Sequence, residues 1–225
     1  MMKMLIANWK ASMTKPNAIK WLDEFIELYN KDNLDTKLKK NNTQIVICPP
    51  FTLIPIVHQY LKNYSSITVG SQTVSSKPSG PYTGEVTAEL LKDYVTHAII
   101  GHSERRKHFQ LTEELIADQL KNCIDNGIVP ILCIRDEQDK VHDNANIIAF
   151  EPPDAIGTGH NADVKDVIAM KKQLQLKPET SFMYGASVAG SNITEYIKTG
   201  EIQGFLVGTA SLKASSFYNL AVAML

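Results

Sequence analysis

Cysteine is scarce in this chain, and no run of like charge or of apolar residues is long enough to dominate a segment. The three cysteines, Cys48, Cys123 and Cys133, are odd in number and have no metal-ligand spacing. That argues against a disulfide scaffold and for reduced thiols filling the core of an intracellular, cytoplasmic protein. Basic residues number 23 and acidic ones 24, for a formal net charge of −1 with no block of one sign, so no nucleic-acid or membrane-surface partner is expected. The densest basic patch, Lys37–Lys40, reads as a solvated helix end or loop. The N-terminus has no sustained apolar stretch of the secretory kind, and nowhere do about 20 apolar residues run together, so neither secretion nor a membrane-spanning helix is expected. What remains is 225 residues with 44% apolar content, enough for a substantial core and read as one domain, residues 1–225.

Short apolar, β-branched runs recur along the chain. Most are separated by segments of helical periodicity, the signature of repeated βα units. Eight runs are expected as strands: Lys3–Trp9, Gln44–Cys48, Ser66–Gly70, Thr96–Gly101, Ile128–Ile134, Asn146–Phe150, Ser181–Tyr184 and Gln203–Val207. Pro16–Tyr29, with Ile19, Leu22, Phe25 and Ile26 on one face, is expected as an amphipathic helix. Thr52–Lys62, Val86–Asp93, Thr112–Asn126, Ala162–Leu176, Ile193–Lys198 and Lys213–Met224 read the same way. Eight strands with crossovers in this length predict an α/β fold closed as a (β/α)₈ barrel. The chain is short for one, and the deficit lies at Arg135–Ala145, which is polar and weakly periodic. The fifth helix is therefore expected to be truncated or missing, since a parallel crossover normally takes a dozen or more residues.

In such a barrel, catalytic groups lie just after several strands and phosphate-binding backbone follows the seventh and eighth. Asn8 and Lys10 follow the first run, His102-Ser103-Glu104-Arg105-Arg106 the fourth, and Glu151 the sixth. Two small-residue turns, Gly185-Ala186-Ser187 and Gly208-Thr209-Ala210-Ser211, follow the last two and can offer amides to one phosphate. After Glu151, Pro152 and Pro153 stop the strand, and Gly157 and Gly159 let backbone approach an anion closely. Taken singly, each has a plainer reading: Lys10 a solvated charge, His102 a satisfied loop histidine, Ser187 a helix cap, Glu104 with Arg105 and Arg106 a structural ion-pair cluster. Together they suit proton abstraction beside a carbonyl, with a carboxylate as base, an imidazole as hydrogen-bond donor and an ammonium beside the developing oxyanion.

Blocks from the first strand to the last helix resemble the triosephosphate isomerase family: Ala7-Asn-Trp-Lys10, Tyr82-Thr-Gly-Glu85, Ile100-Gly-His-Ser-Glu-Arg-Arg106, Glu151-Pro with Ala155-Ile-Gly-Thr-Gly159, Tyr184-Gly with Ser187-Val188, and Gly204-Phe-Leu-Val-Gly208 with Ala210-Ser-Leu-Lys213. The resemblance implies interconversion of dihydroxyacetone phosphate and glyceraldehyde 3-phosphate without metal or organic cofactor. It makes Glu151 the base, His102 the electrophile, held neutral as in that family, and Lys10 and Asn8 the oxyanion partners, with Glu104 supporting Lys10. Gly157, Ser187, Gly208 and Thr209 would bind the phosphate, and Ile156 and Leu206 would clamp the base beneath a closing loop. Thr83 would sit on a loop reaching into a neighbouring subunit, so a homodimer is the minimum assembly implied.

The chain departs from the family pattern at four places. The lid hinge reads Pro152-Pro153-Asp154; Ala186 and Thr209 stand where glycine is usual; the block after the fifth strand reads Cys133-Ile-Arg-Asp136; and the fifth crossover is short. A stiffer hinge is expected at Pro153. Two other readings fit parts of the pattern: a barrel that binds sugar phosphates without catalysis, and an enzyme acting on a different sugar phosphate.

Overall fold

Eight parallel strands pair in chain order and the last closes on the first: β1 (Lys3–Asn8), β2 (Thr43–Cys48), β3 (Ile67–Ser71), β4 (His97–Ile100), β5 (Val129–Ile134), β6 (Ile147–Phe150), β7 (Ser181–Tyr184) and β8 (Gly204–Val207). The computed structural model describes residues 2–153, 161–185 and 193–225. Leu5 of β1 pairs with Ile45 of β2 on one side and with Phe205 of β8 on the other, which seals the (β/α)₈ barrel. Around it lie nine α-helices among the described residues: α1 (Lys15–Lys31), α2 (Leu34–Lys40), α3 (Ile54–Leu61), α4 (Ala88–Leu91), α5 (Ser103–Phe109), α6 (Glu113–Asp125), α7 (Val164–Gln173), α8 (Ile193–Lys198) and α9 (Ala214–Ala223). None is long and apolar enough to cross a membrane.

The alternation of side chains along each strand divides the apolar residues into two cores. Met4, Ile6, Val46, Cys48, Ile99, Ile131, Cys133, Ile147, Ala149, Met183 and Leu206 fill the barrel interior. The alternate residues, such as Leu5, Ile45, Leu132, Ile148 and Phe205, face outward into a larger core shared with the helices. The inward row has a consequence at the top of the barrel. Stepping by two from Ile6 reaches Asn8, and from Ala149 reaches Glu151, so the register alone aims both polar groups inward above the last apolar layer. Both are buried.

Every strand lies within a residue or two of its expected bounds. The helices differ more. The basic stretch Lys37–Lys40 is the helix end of its two expected forms, closing α2, which Leu34 and Leu38, one turn apart and both fully buried, fix to the core. The segment Val86–Asp93 yields only the single turn α4. After β4, α5 runs from Ser103 to Phe109, a helix absent from the expected set. Between β5 and β6, residues 135–146 form turns and no helix, as the residue count predicted. Val141 packs on the core there, and Asp139, His142 and Ala145 are buried, so the flank is closed by the loop itself.

Candidate active site

Lys10, two residues beyond β1, has φ 50, a left-handed conformation that costs a non-glycine residue about 1–2 kcal/mol. Two side chains hold it there. Asn8 Oδ1 accepts the Lys10 N–H at 3.1 Å, and Gln72 Nε2 donates to the Lys10 carbonyl at 2.9 Å and to the Cys48 carbonyl at 3.0 Å. So fixed, the Lys10 ammonium reaches Glu104 Oε1 at 2.5 Å.

Gly101, at φ 73, ends β4 with a turn that a side chain would strain, and His102 follows as the N-cap of α5. Its Nδ1 accepts the Glu104 N–H at 3.2 Å, so in the neutral ring the proton sits on Nε2. Nε2 lies 3.0 Å from Glu151 Oε1, and the Ser103 N–H donates to Glu151 Oε2 at 3.1 Å. Burial disfavours charge on both partners, but each is outweighed by the other. The Glu151 carboxylate raises the imidazole above its ordinary value, while His102, the Ser103 amide and Lys10 hold the Glu151 carboxyl below its own. Glu151 is therefore ionised at neutral pH although only 3% exposed.

Gly185, just after β7, and the turn after β8 close the far side. A Cβ on Gly185 would stand 3.0 Å from Glu151 Cγ and 3.4 Å from Leu206 Cβ, so this backbone lies directly against the carboxylate's stem. A Cβ on Gly208 would meet Lys10 Cε at 3.3 Å, which brings the β8 turn beside the ammonium. That turn is anchored: Ser211 Oγ donates to the Gly208 carbonyl at 2.6 Å, and Trp21 Nε1 donates to the Ser211 carbonyl at 3.0 Å. Thr209 opens a 3-10 turn and is not among the residues with positive φ, so its side chain strains nothing where glycine is usual. Downstream of the glycine-rich segment, Tyr184 Oη accepts the Ala162 N–H at 2.8 Å and Tyr196 Oη donates to the Ala162 carbonyl at 2.6 Å.

The strand ends thus gather Asn8, Lys10, His102, Glu104, Glu151 and Gly208 into one contiguous group, with Thr209 beside it. Gly157, Ser187, Asp154, Ile156 and Ala186 fall outside the described residues. Pro153 is described and exposed. Thr83 is exposed, between the exposed Tyr82 and Gly84. Gln72 went unnoticed in the sequence; its only signal was a polar residue immediately after β3, at the same barrel end as the others. The three cysteines are buried, and burial pushes their thiols up, Cys123 to about 12, so none is a ready nucleophile.

Comparison with known proteins agrees with this geometry. The family model described as triosephosphate isomerase matches residues 3–224. Triosephosphate isomerase of Dictyoglomus thermophilum is 34% identical, covering 97% of this chain and 98% of that protein. Those of Symbiobacterium thermophilum, at 34% with 96% and 94% covered, and Mycoplasma mobile, at 33% with 97% and 98%, are similar in the same degree. The first alignment spans 252 residues, more than the 225 of this chain, so that relative carries residues absent here. With matches that run from the first strand to the last helix, on a closed barrel bearing the expected groups at its strand ends, the chain belongs to the triosephosphate isomerase family.

Proposed function

We propose that this protein interconverts dihydroxyacetone phosphate and D-glyceraldehyde 3-phosphate, moving a proton between adjacent carbons through an enediol intermediate. The observation that carries the reading is the pairing of a buried, ionised carboxylate with an imidazole whose other nitrogen is already occupied by the Glu104 N–H. With its proton on Nε2, the neutral His102 ring meets the substrate carbonyl as a hydrogen-bond donor. Glu151, held by His102 and the Ser103 amide, leaves that resting contact to take the proton from the carbon next to the carbonyl. It then returns the proton to the neighbouring carbon, while His102 moves a proton between the two oxygens.

Lys10 and Asn8 face the developing oxyanion, where fixed charge and dipoles act without reorganising. Glu104 holds the Lys10 ammonium and donates its own amide to the imidazole, so one residue orients both. Gly208 and Thr209, with Gly157 and Ser187, bind the phosphate through backbone amides. The loop after Glu151 covers the substrate, and Leu206 with Ile156 clamps the base. None of these steps calls on a metal or an organic cofactor. The reaction belongs to glycolysis and gluconeogenesis in the cytoplasm, carried by a single domain.

Assays in both directions, run beside Glu151→Gln, test the reading. Loss of the base should lower kcat by about 10²–10⁴-fold; equal rates for the two proteins would overturn it. A homodimer is part of the same proposal. The Thr83 loop is closed at its base by the Ser75 N–H on the Val86 carbonyl at 2.9 Å and by Ser75 Oγ on Glu85 Oε2 at 2.5 Å, and its tip exposes Tyr82. Light scattering after size exclusion should give twice the chain mass, and an active monomer would contradict the dimer.

A further inference from the structure

The loop that replaces the fifth helix carries a buried carboxylate that belongs to none of the groups described so far. Asp139 is 6% exposed, and its Oδ2 accepts the Arg135 N–H at 2.8 Å and Arg135 Nε at 2.9 Å. Its Oδ1 accepts Arg135 Nη2 at 2.7 Å and lies 3.7 Å from Arg106 Nη1. The neighbouring Asp136 is engaged otherwise, its Oδ1 accepting the Gln138 N–H at 2.9 Å and so shaping the turn that presents Asp139. Glu113 bonds the same guanidinium of Arg106 and is itself approached by His142 Nε2 at 3.3 Å.

What the two arginines touch gives this cluster its meaning. Arg106 Nε donates to the Gly101 carbonyl at 2.8 Å, and Gly101 immediately precedes His102. Arg135 immediately follows Ile134, whose carbonyl accepts the Glu151 N–H at 2.7 Å. One carboxylate therefore stands between two short paths. The first runs through Arg106 and Gly101 to the imidazole, and the second through the Arg135 backbone and Ile134 to the base. A helix over this flank would normally fix the strand ends by packing; here a charged clamp spans the exits of β4 and β5.

We propose that Asp139 is a positioning residue for the isomerisation, setting the spacing of His102 against Glu151 from the loop that stands in place of the missing helix. The inference rests on the isomerase reading above. The bidentate, charge-assisted contact to Arg135 gives Asp139 a fixed direction, and its charge attracts Arg106 across 3.7 Å; a misplacement of about 1 Å at reacting groups costs on the order of 10²-fold in rate.

The test compares wild type, Asp139→Asn and Asp139→Glu in steady-state kinetics, with the ¹⁵N shifts of the His102 ring recorded by NMR on the same folded samples. Asp139→Asn keeps the volume and removes the charge. It should lower kcat about tenfold or more, leave KM within about twofold, and shift the His102 ring nitrogens, with Asp139→Glu recovering part of the rate. A folded Asp139→Asn protein with wild-type kcat and unchanged His102 shifts would overturn the proposal. If Asp139→Asn fails to fold, Arg135→Met, which opens the clamp from its more exposed side, decides by the same two readouts. Inactive wild-type protein would instead sink the isomerase reading, so the two failures are distinguishable.

Discussion

Two flanks of this barrel are closed by opposite means. Beside β1 and β8, α1 and α9 bury an aromatic cluster in which Trp21 stacks on Phe25 at 4.8 Å between ring centroids, meets Trp9 edge-on at 4.9 Å and approaches Phe217 at 5.9 Å. The crossover between β5 and β6 has no helix, and Arg106, Glu113, Arg135, Asp139 and His142 interlock there instead. Each flank supports a different part of the site. The aromatic one holds the β8 turn through Trp21 and Ser211, and the ionic one holds the β4 turn through Arg106 and Gly101. Apolar burial is non-directional and supplies most of the free energy of folding, whereas a buried ion pair contributes little net stability because desolvation offsets its attraction. The first flank should therefore govern stability and the second geometry.

The largest effect is expected where that division can be broken most directly. Phe25 is fully buried and packs on Trp21, Tyr29 and Phe217. Phe25→Ala should cost about 3–5 kcal/mol of stability, transfer and cavity terms together. The protein that remains folded should keep a kcat within about threefold of wild type, since no polar contact in the site changes. Urea unfolding and steady-state kinetics on one sample measure both. A large fall in kcat with little change in the unfolding midpoint would reverse the assignment of the two flanks.

How much of this could be read in the residues follows from the range of the interactions. The barrel was legible because period-two and period-3.6 patterns are local, and Asn8 and Glu151 were legible because the inward row of β1 and β6 continues straight into them. Lys10 and His102 were named from chemistry and family blocks, but their aim depends on left-handed backbone at Lys10 and Gly101, which no periodicity encodes. Gln72, which holds the strained Lys10 carbonyl from a different strand, left no local mark. The short crossover could be found by counting, yet what closes it could not. Arg106 and Asp139 meet only after the strands are in place, and a sequence shows charges without their partners. Helix α2 was left open between a helix end and a loop for a related reason: two buried leucines over seven residues are too short a pattern to decide, and the structure makes Lys37–Lys40 the helix end.

Acid separates the apolar and ionic regions by pH, with a somewhat smaller effect. His97 in β4 is 5% exposed, and burial pushes its imidazole down from 6.5 to about 4. Its ring has Thr96 Oγ1 at 2.7 Å for company. A histidine depressed in the folded state is protonated more readily when unfolded, so stability falls as pH drops from 6.5 toward 4, by about 3 kcal/mol at most, and then levels. Asp139 loses its contribution in the same direction but in a lower window. Burial opposes its charge, but Arg135 and Arg106 outweigh that and hold its carboxyl below 3.8, so its contribution persists until the pH falls below that value. His102, raised by Glu151, has the reverse sign and acts above 6.5, outside both windows. Urea midpoints between pH 7 and pH 3 should therefore show a first loss that His97→Gln flattens and a later one that Asp139→Asn alters. A single loss confined below pH 4 in wild type would mean that His97 takes up its proton at no cost, and that the apolar strands tolerate charge as well as the clamp does.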